Sequence, residues 1–239
     1  MEEIKKDKRL RIYSEIPYFL SLLLMSLAVA MATCANFGVS MIVAPAYIIS
    51  MKLNITFGQA EYIVQAILFI IFCLVMKKFR FSYLFSFITG LLYGVLLDLW
   101  MWIIPHFNPN ITPPGSLPLW LNIIYYSISI TLTALAVALA FKTYIYPQIY
   151  DFFVKGITDK YRKIKRNIFK ILFDFSFLLL ALLLTLLFFQ GIKGIGIGTV
   201  ICAFLNGLII TFFDKMLDKI FVFKPLINKF SDYLEIKED

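Results

Sequence analysis

The stretch ILFDFSFLLLALLLTLLFFQGIKGIGIGTV, residues 171–200, is open to two incompatible readings. Its glycines at 191, 194, 196 and 198 have the spacing of a phosphate-binding turn. A dinucleotide fold, however, needs a short strand before such a turn and a soluble helix after it. What precedes it here is a long apolar segment of helical period, and no Gly-Lys-Ser/Thr follows. The stretch therefore reads as an apolar helix, a tight turn, and the start of a second apolar helix. Gly194, Gly196 and Gly198 let the backbone approach its neighbours there, and Thr199 caps or back-bonds the new helix. A sharper reading stays open beside this one: an irregular helix start whose N–H groups face a solute.

Working outward, the same character fills the chain. Of 239 residues, 61% are hydrophobic and 16% charged, with 25 Phe, against roughly half apolar and a quarter charged in soluble domains. A soluble fold would leave much of that apolar surface in water, whereas a bilayer accepts it on helices of about 20 residues. The expectation is an all-α integral membrane protein. The charged run MEEIKKDKRLRIYSEIP precedes an apolar segment too long for a signal core, so the first span is expected to be retained. Cys34, Cys73 and Cys202 lie inside apolar segments with no CxxC, which makes them packing residues and leaves no metal or cofactor expected. Nucleic acid is not an expected partner despite the net charge of +8, because the cations flank apolar spans instead of forming a stripe.

Six spans are predicted, at 17–40, 57–76, 82–104, 119–142, 168–190 and 195–213, in a single membrane domain over 1–239. Twenty-one of the 23 basic residues then fall on one side, leaving Lys52 and Lys193 for the other. By the positive-inside rule both termini are cytoplasmic, in the cell membrane. The uncharged loop PHFNPNITPPGSLP is external and links two three-span halves, 17–104 and 119–213. Because span one runs outward and span four inward, a repeat between the halves is inverted. APAYIIS with Pro45 corresponds to YPQIYDFF with Pro147, Glu61 to Asp174, and Asp98 to Asp214. Residues 214–239 form an amphipathic cytoplasmic tail that, like the loop YPQIYDFFVKGITDKYRKIKRN, suits helices lying on anionic lipid.

Ionisable groups within spans are costly and are functional candidates by default. Glu61 and Gln65, four apart, share one helix face; the plainer reading of Glu61 is an acid in a first helical turn. Asp98 lies near a helix C-terminus, where the dipole disfavours it, so it needs a partner or water. Asp174 can bind solute or pair with Lys170. Together Asp98, Glu61, Gln65 and Asp174 are the expected solute-binding set. Gly90 and Gly94, four apart, mark close helix packing or docking to a partner subunit.

These residues also carry a resemblance. GIGIGTVICAFLNGLIITFF, ITFGQAEYIVQ and YGVLLD are similar to motifs of the YczE/YyaS/YitT-like bacterial multi-pass membrane proteins: Gly-Val-Ser, a Pro-containing segment, Phe-Gly before span two, and a Gly-x-x-x-Asp closing span three. The matched stretches are 37–101 and 190–213. The resemblance implies a bacterial membrane protein of unestablished activity and supplies no catalytic residue. The residues themselves leave open a carrier for a small solute or ion, and a non-transporting scaffold or regulatory subunit. A homo-oligomer or a membrane partner subunit accords with either. An enzyme is not expected: the one histidine, His106, sits in a loop and no HExxH occurs.

Overall fold

The structure is a computed structural model that describes residues 9–227. In chain order it contains β1 (Leu10–Tyr13), α1 (Glu15–Cys34), α2 (Ala44–Leu53), α3 (Phe57–Met76) and α4 (Tyr83–Ile103). A single 3-10 turn at Pro105–Phe107 follows, then α5 (Leu119–Ala140), α6 (Ile149–Lys160), α7 (Arg166–Phe189), α8 (Ile197–Ile220) and β2 (Phe221–Lys224). Six of these helices, α1, α3, α4, α5, α7 and α8, are long and apolar enough to cross about 30 Å of hydrocarbon. The chain is a multi-pass helical membrane protein, and large side chains such as Phe204, Leu208 and Phe212 face outward where lipid lies.

Local chemistry explains where the helices begin and end. Thr56 and Gln59 form a reciprocal capping box at the start of α3, with both bonds at 3.1 Å. Pro45 sits in the first turn of α2, where its missing N–H costs nothing. Helix α1 stops at Cys34, earlier than the expected span end at 40, because Asn36 and Gly38 adopt positive φ and turn the chain.

Helix α1 lies centrally against α5 and α4, and α8 packs on the other side of α5. Alanines at 28, 30, 134, 136 and 138 are fully buried, and the Ala28 carbonyl accepts a 2.7 Å bond from Ser129 Oγ. Each half thus has the order long, short, long, long. The short helices α2 and α6 each pack against both α3 and α7. Helix α4 packs on α3, whereas α7 and α8 make no comparable contact.

Two expectations need correction. The loop around YPQIYDFF does not form a helix laid on lipid: the apolar face of α6, including Tyr150, Phe152, Phe153 and Ile157, is buried inside the bundle. Nor does an amphipathic tail begin at 214. Helix α8 runs on to Ile220, because Asp214 and Asp218, one turn apart, both reach Lys142 Nζ, at 2.6 and 2.7 Å. Strand β2 follows and pairs in parallel with β1, in the register Ile12 to Phe223. The rest of that tail, 228–239, lies outside the described residues.

Candidate functional site

In the glycine turn that poses the question of fold, three backbone donors are occupied. Gly198 N donates to Phe37 O at 2.8 Å, Thr199 N to Gly196 O at 3.0 Å, and Gly196 N to Thr199 Oγ1 at 3.3 Å. Thr199 Oγ1 donates in turn to Val39 O at 2.7 Å, and Val39 N to Gly194 O at 3.1 Å. A Cβ on Gly38 would strike Gly196 N and Thr199 Oγ1, so the glycines serve close approach of two backbones. Of the donors at this helix start, Gly198 N faces the segment after α1, while Gly196 N and Thr199 N are bonded within the turn itself.

The other half has a matching arrangement. The segment between α5 and α6 turns back along α4, where Tyr146 O accepts from Thr89 Oγ1 at 2.9 Å and Pro147 O from Ser86 Oγ at 2.6 Å. Helix α6 then runs out to the end of α3, and Lys160 Nζ bonds the carbonyls of Val75 and Met76 at 2.9 and 3.0 Å. This path carries Tyr150, in the first turn of α6, deep into the bundle.

There it meets Glu61. The Glu61 side chain is 0% exposed, in the seam of α3, α4 and α6. Its Oε2 accepts from Tyr150 OH at 2.9 Å and from Gln65 Nε2 at 3.1 Å. Three buried oxygens have no hydrogen-bond partner here: Glu61 Oε1, Gln65 Oε1 and Tyr93 OH. A Cβ on Gly90 would collide with the Gln65 amide, so the absence of a side chain at 90 admits that amide. No described Lys, Arg or His forms an ion pair with Glu61. A buried carboxylate held only by neutral donors is an unusual expense in a membrane bundle, and its usual justification is a ligand or proton.

The structure brings Glu61 and Gln65 together and keeps the other two candidate acids apart from them. Asp98 accepts from Thr56 Oγ1 at 2.6 Å and from Gly58 N at 2.8 Å, at the N-terminus of α3. Its need for a partner is met by another helix's first turn, whose dipole favours the charge. Asp174 lies 3.2 Å from Lys170 Nζ, which also holds Asp151 at 2.8 Å. Gly94 receives the Tyr62 ring, which a Cβ would strike. Tyr93 and Tyr150 were not singled out from sequence. Tyr93 lies between Gly90 and Gly94 in a motif noted for its glycines, and Tyr150 belongs to a helix read as lying on lipid.

A cavity of about 1190 Å³ lies on the side of the bundle where the basic loops gather. Its described lining contains seven Lys and Arg side chains, Lys78 and Lys155 among them, against two acids, Asp151 and Asp159. Aromatic rings cluster in its lining: Phe152 lies 5.0 Å from Phe72, 5.4 Å from Tyr83 and 4.6 Å from Tyr146, centre to centre. A Cβ on Gly156 would strike the Phe72 ring, so that glycine lets the ring into the cluster. Glu61 lies eleven residues before Phe72 on α3, about 16 Å along the axis at 1.5 Å per residue. The region thus holds a basic cavity with an aromatic cluster in its lining, and a buried acid farther along α3, outside that lining.

A family model described as a family of unknown function, DUF6198, matches residues 12–215. No curated protein and no solved structure matches the chain.

Proposed function

The chain belongs to the DUF6198 family of unknown function, and from that premise we propose that it is a carrier for a small solute in the cell membrane. The carrying observation is Glu61: wholly buried, paired only with neutral groups, and accompanied by unpartnered Gln65 and Tyr93 oxygens. In this reading a solute enters through the cavity on the basic side, and the cluster of Phe72, Tyr83, Tyr146 and Phe152 in its lining is the closed gate. Asp98, which joins α4 to α3, and Asp174, which pairs with Lys170 on its own helix, serve this reading as structural groups. No enzymatic role is proposed, since His106 is exposed on a loop.

The inverted repeat is part of the proposal. It is supported by the long-short-long-long order of both halves and by hydroxyls that hold the segment before each short helix: Thr199 holds residue 39, while Thr89 and Ser86 hold 146 and 147. Carrier sites lie between such halves near the midplane. The positive-inside distribution favours cytoplasmic termini, and the motif likeness favours kinship with the YczE/YyaS/YitT-like proteins. A second reading, a non-transporting scaffold, draws on Asp98, which joins α4 to the start of α3, and on the Lys170–Asp151 pair, which joins α7 to α6.

Thermal unfolding of the purified protein in detergent across a panel of metabolites and ions separates the two, since a native-state ligand stabilises by RT ln(1 + [L]/Kd). The carrier reading expects a stabilising solute whose effect is lost in Glu61→Ala and kept in Asp98→Asn. A broad panel with no hit favours the scaffold.

A further inference from the structure

Around Glu61 the acceptors outnumber the donors that reach them. Oε2 already accepts two hydrogen bonds, from Tyr150 and Gln65. Oε1, Gln65 Oε1 and Tyr93 OH are all without partners, although each is shut off from solvent. As an anion, Glu61 would add a buried charge to this set and supply no donor. Each ion taken from water costs several kcal/mol even after relaxation, and two neutral donors return only part of that.

The groups facing Glu61 from every packed element offer no compensating cation. Helix α3 itself contributes Gln65, α4 contributes Tyr93, and α6 contributes Tyr150. On α2, Tyr47 packs at a tilt against Phe57, and Lys52 lies over the Phe188 ring. The nearest charges on α6 and α7, Asp151, Lys170 and Asp174, are engaged with one another, and Asp98 caps α3.

We propose that Glu61 is a proton-binding site, its carboxyl protonated on Oε1 in the structure described here and releasing that proton as the coupling ion. Only the word coupling rests on the carrier reading; occupancy of the site by a proton stands without it. A proton on Oε1 cancels the charge and turns an orphan acceptor into a donor. Release sends one proton to water and leaves one carboxylate behind. A divalent cation fits less well: calcium takes six to eight oxygens and magnesium a near-ideal octahedron. The described residues hold no group of three or more His, Cys, Asp or Glu suited to a metal.

The test is infrared spectroscopy of the full chain in lipid vesicles at neutral pH, with thermal unfolding followed against pH. The expected result is a protonated-carboxyl carbonyl band that disappears in Glu61→Gln. Wild-type unfolding temperature should fall at alkaline pH, where deprotonation leaves an uncompensated buried charge, and Glu61→Gln should lose that limb. Should Glu61→Gln fail to fold, Tyr150→Phe removes one bond to Oε2 and must move the band without abolishing it. A spectrum with no such band, or a band unmoved by either variant, overturns the proposal. So does sodium-dependent stabilisation at fixed pH that is lost in Glu61→Gln, since a metal ion would then hold the site. A band assigned to Glu61 with no stabilising solute in any panel would retain the proton site and remove the carrier reading.

Discussion

At Gly90 any side chain would run into the Gln65 amide, whose carbon lies 2.7 Å from the place a Cβ would take. Gly207, also mid-helix, faces open space. The two glycines therefore answer differently to the same change. Gly90→Ala should destabilise by roughly 1–3 kcal/mol through overpacking, and it should disturb Glu61 by moving Gln65. Gly207→Ala should be neutral or stabilise by up to about 1 kcal/mol through helix propensity. Thermal unfolding of both variants in detergent checks the contrast, and equal effects would remove close packing as the reason for Gly90. The spacing of Gly90 and Gly94 is legible in the sequence as a small-residue pair, but its purpose is not. One admits a polar head and the other the Tyr62 ring, and no spacing rule says which side chain from α3 will fill the space.

At the scale of elements, the apolar runs of the six long helices are legible because lipid imposes length and hydropathy on each span separately. The short helices are a different matter. Helix α6 reads as amphipathic, with cations that suit a lipid surface, yet its apolar face turns inward because Phe72, Tyr83 and Phe173 offer it an aromatic surface. Hydrophobic periodicity specifies that a face is buried and is silent about what buries it. The site was half legible for the same reason: Glu61 and Gln65 are one helix turn apart on α3, whereas Tyr150 reaches Glu61 across 89 positions. The extension of α8 depends likewise on a distant partner, Lys142. Burial pulls the Lys142 ammonium down, and the hydrogen bonds and charges of Asp214 and Asp218 raise it on balance. Stabilisation from a raised lysine is complete below its ordinary value of 10.5 and is lost only as pH climbs through the raised one. Since Asp214 and Asp218 are 36% and 57% exposed, Lys142→Met should cost no more than about 1 kcal/mol. That loss should be constant across neutral pH in thermal unfolding and should shrink only in strong alkali.

For the whole molecule, an even number of spans puts both chain ends on one face, and the pairing of β1 with β2 agrees by bringing them side by side. In the proposed topology, which the positive-inside distribution favours, that face is the cytoplasmic one. Reporters fused after residue 110 and after residue 160 should therefore read opposite compartments, the first outside and the second inside; a shared compartment would end the inverted-repeat proposal. The strand pair is backed by Arg9 donating to the Asp218 carbonyl and by Leu226 N donating to Glu15 Oε1 at 3.0 Å. Tyr144, whose phenol is pushed up by burial and by the Glu15 carboxylate it donates to, ties the segment between α5 and α6 to the same spot. Arg9 and Asp218 are 209 positions apart. At ~5–20 residues per second of synthesis, the first strand waits on the order of 10 to 40 s for its partner to leave the ribosome. During that interval the membrane holds a nearly finished bundle whose opening strand has an unclaimed edge. Closure of the fold thus waits on β2, and a chain halted within α8 would have its earlier spans inserted while β1 is still unpaired.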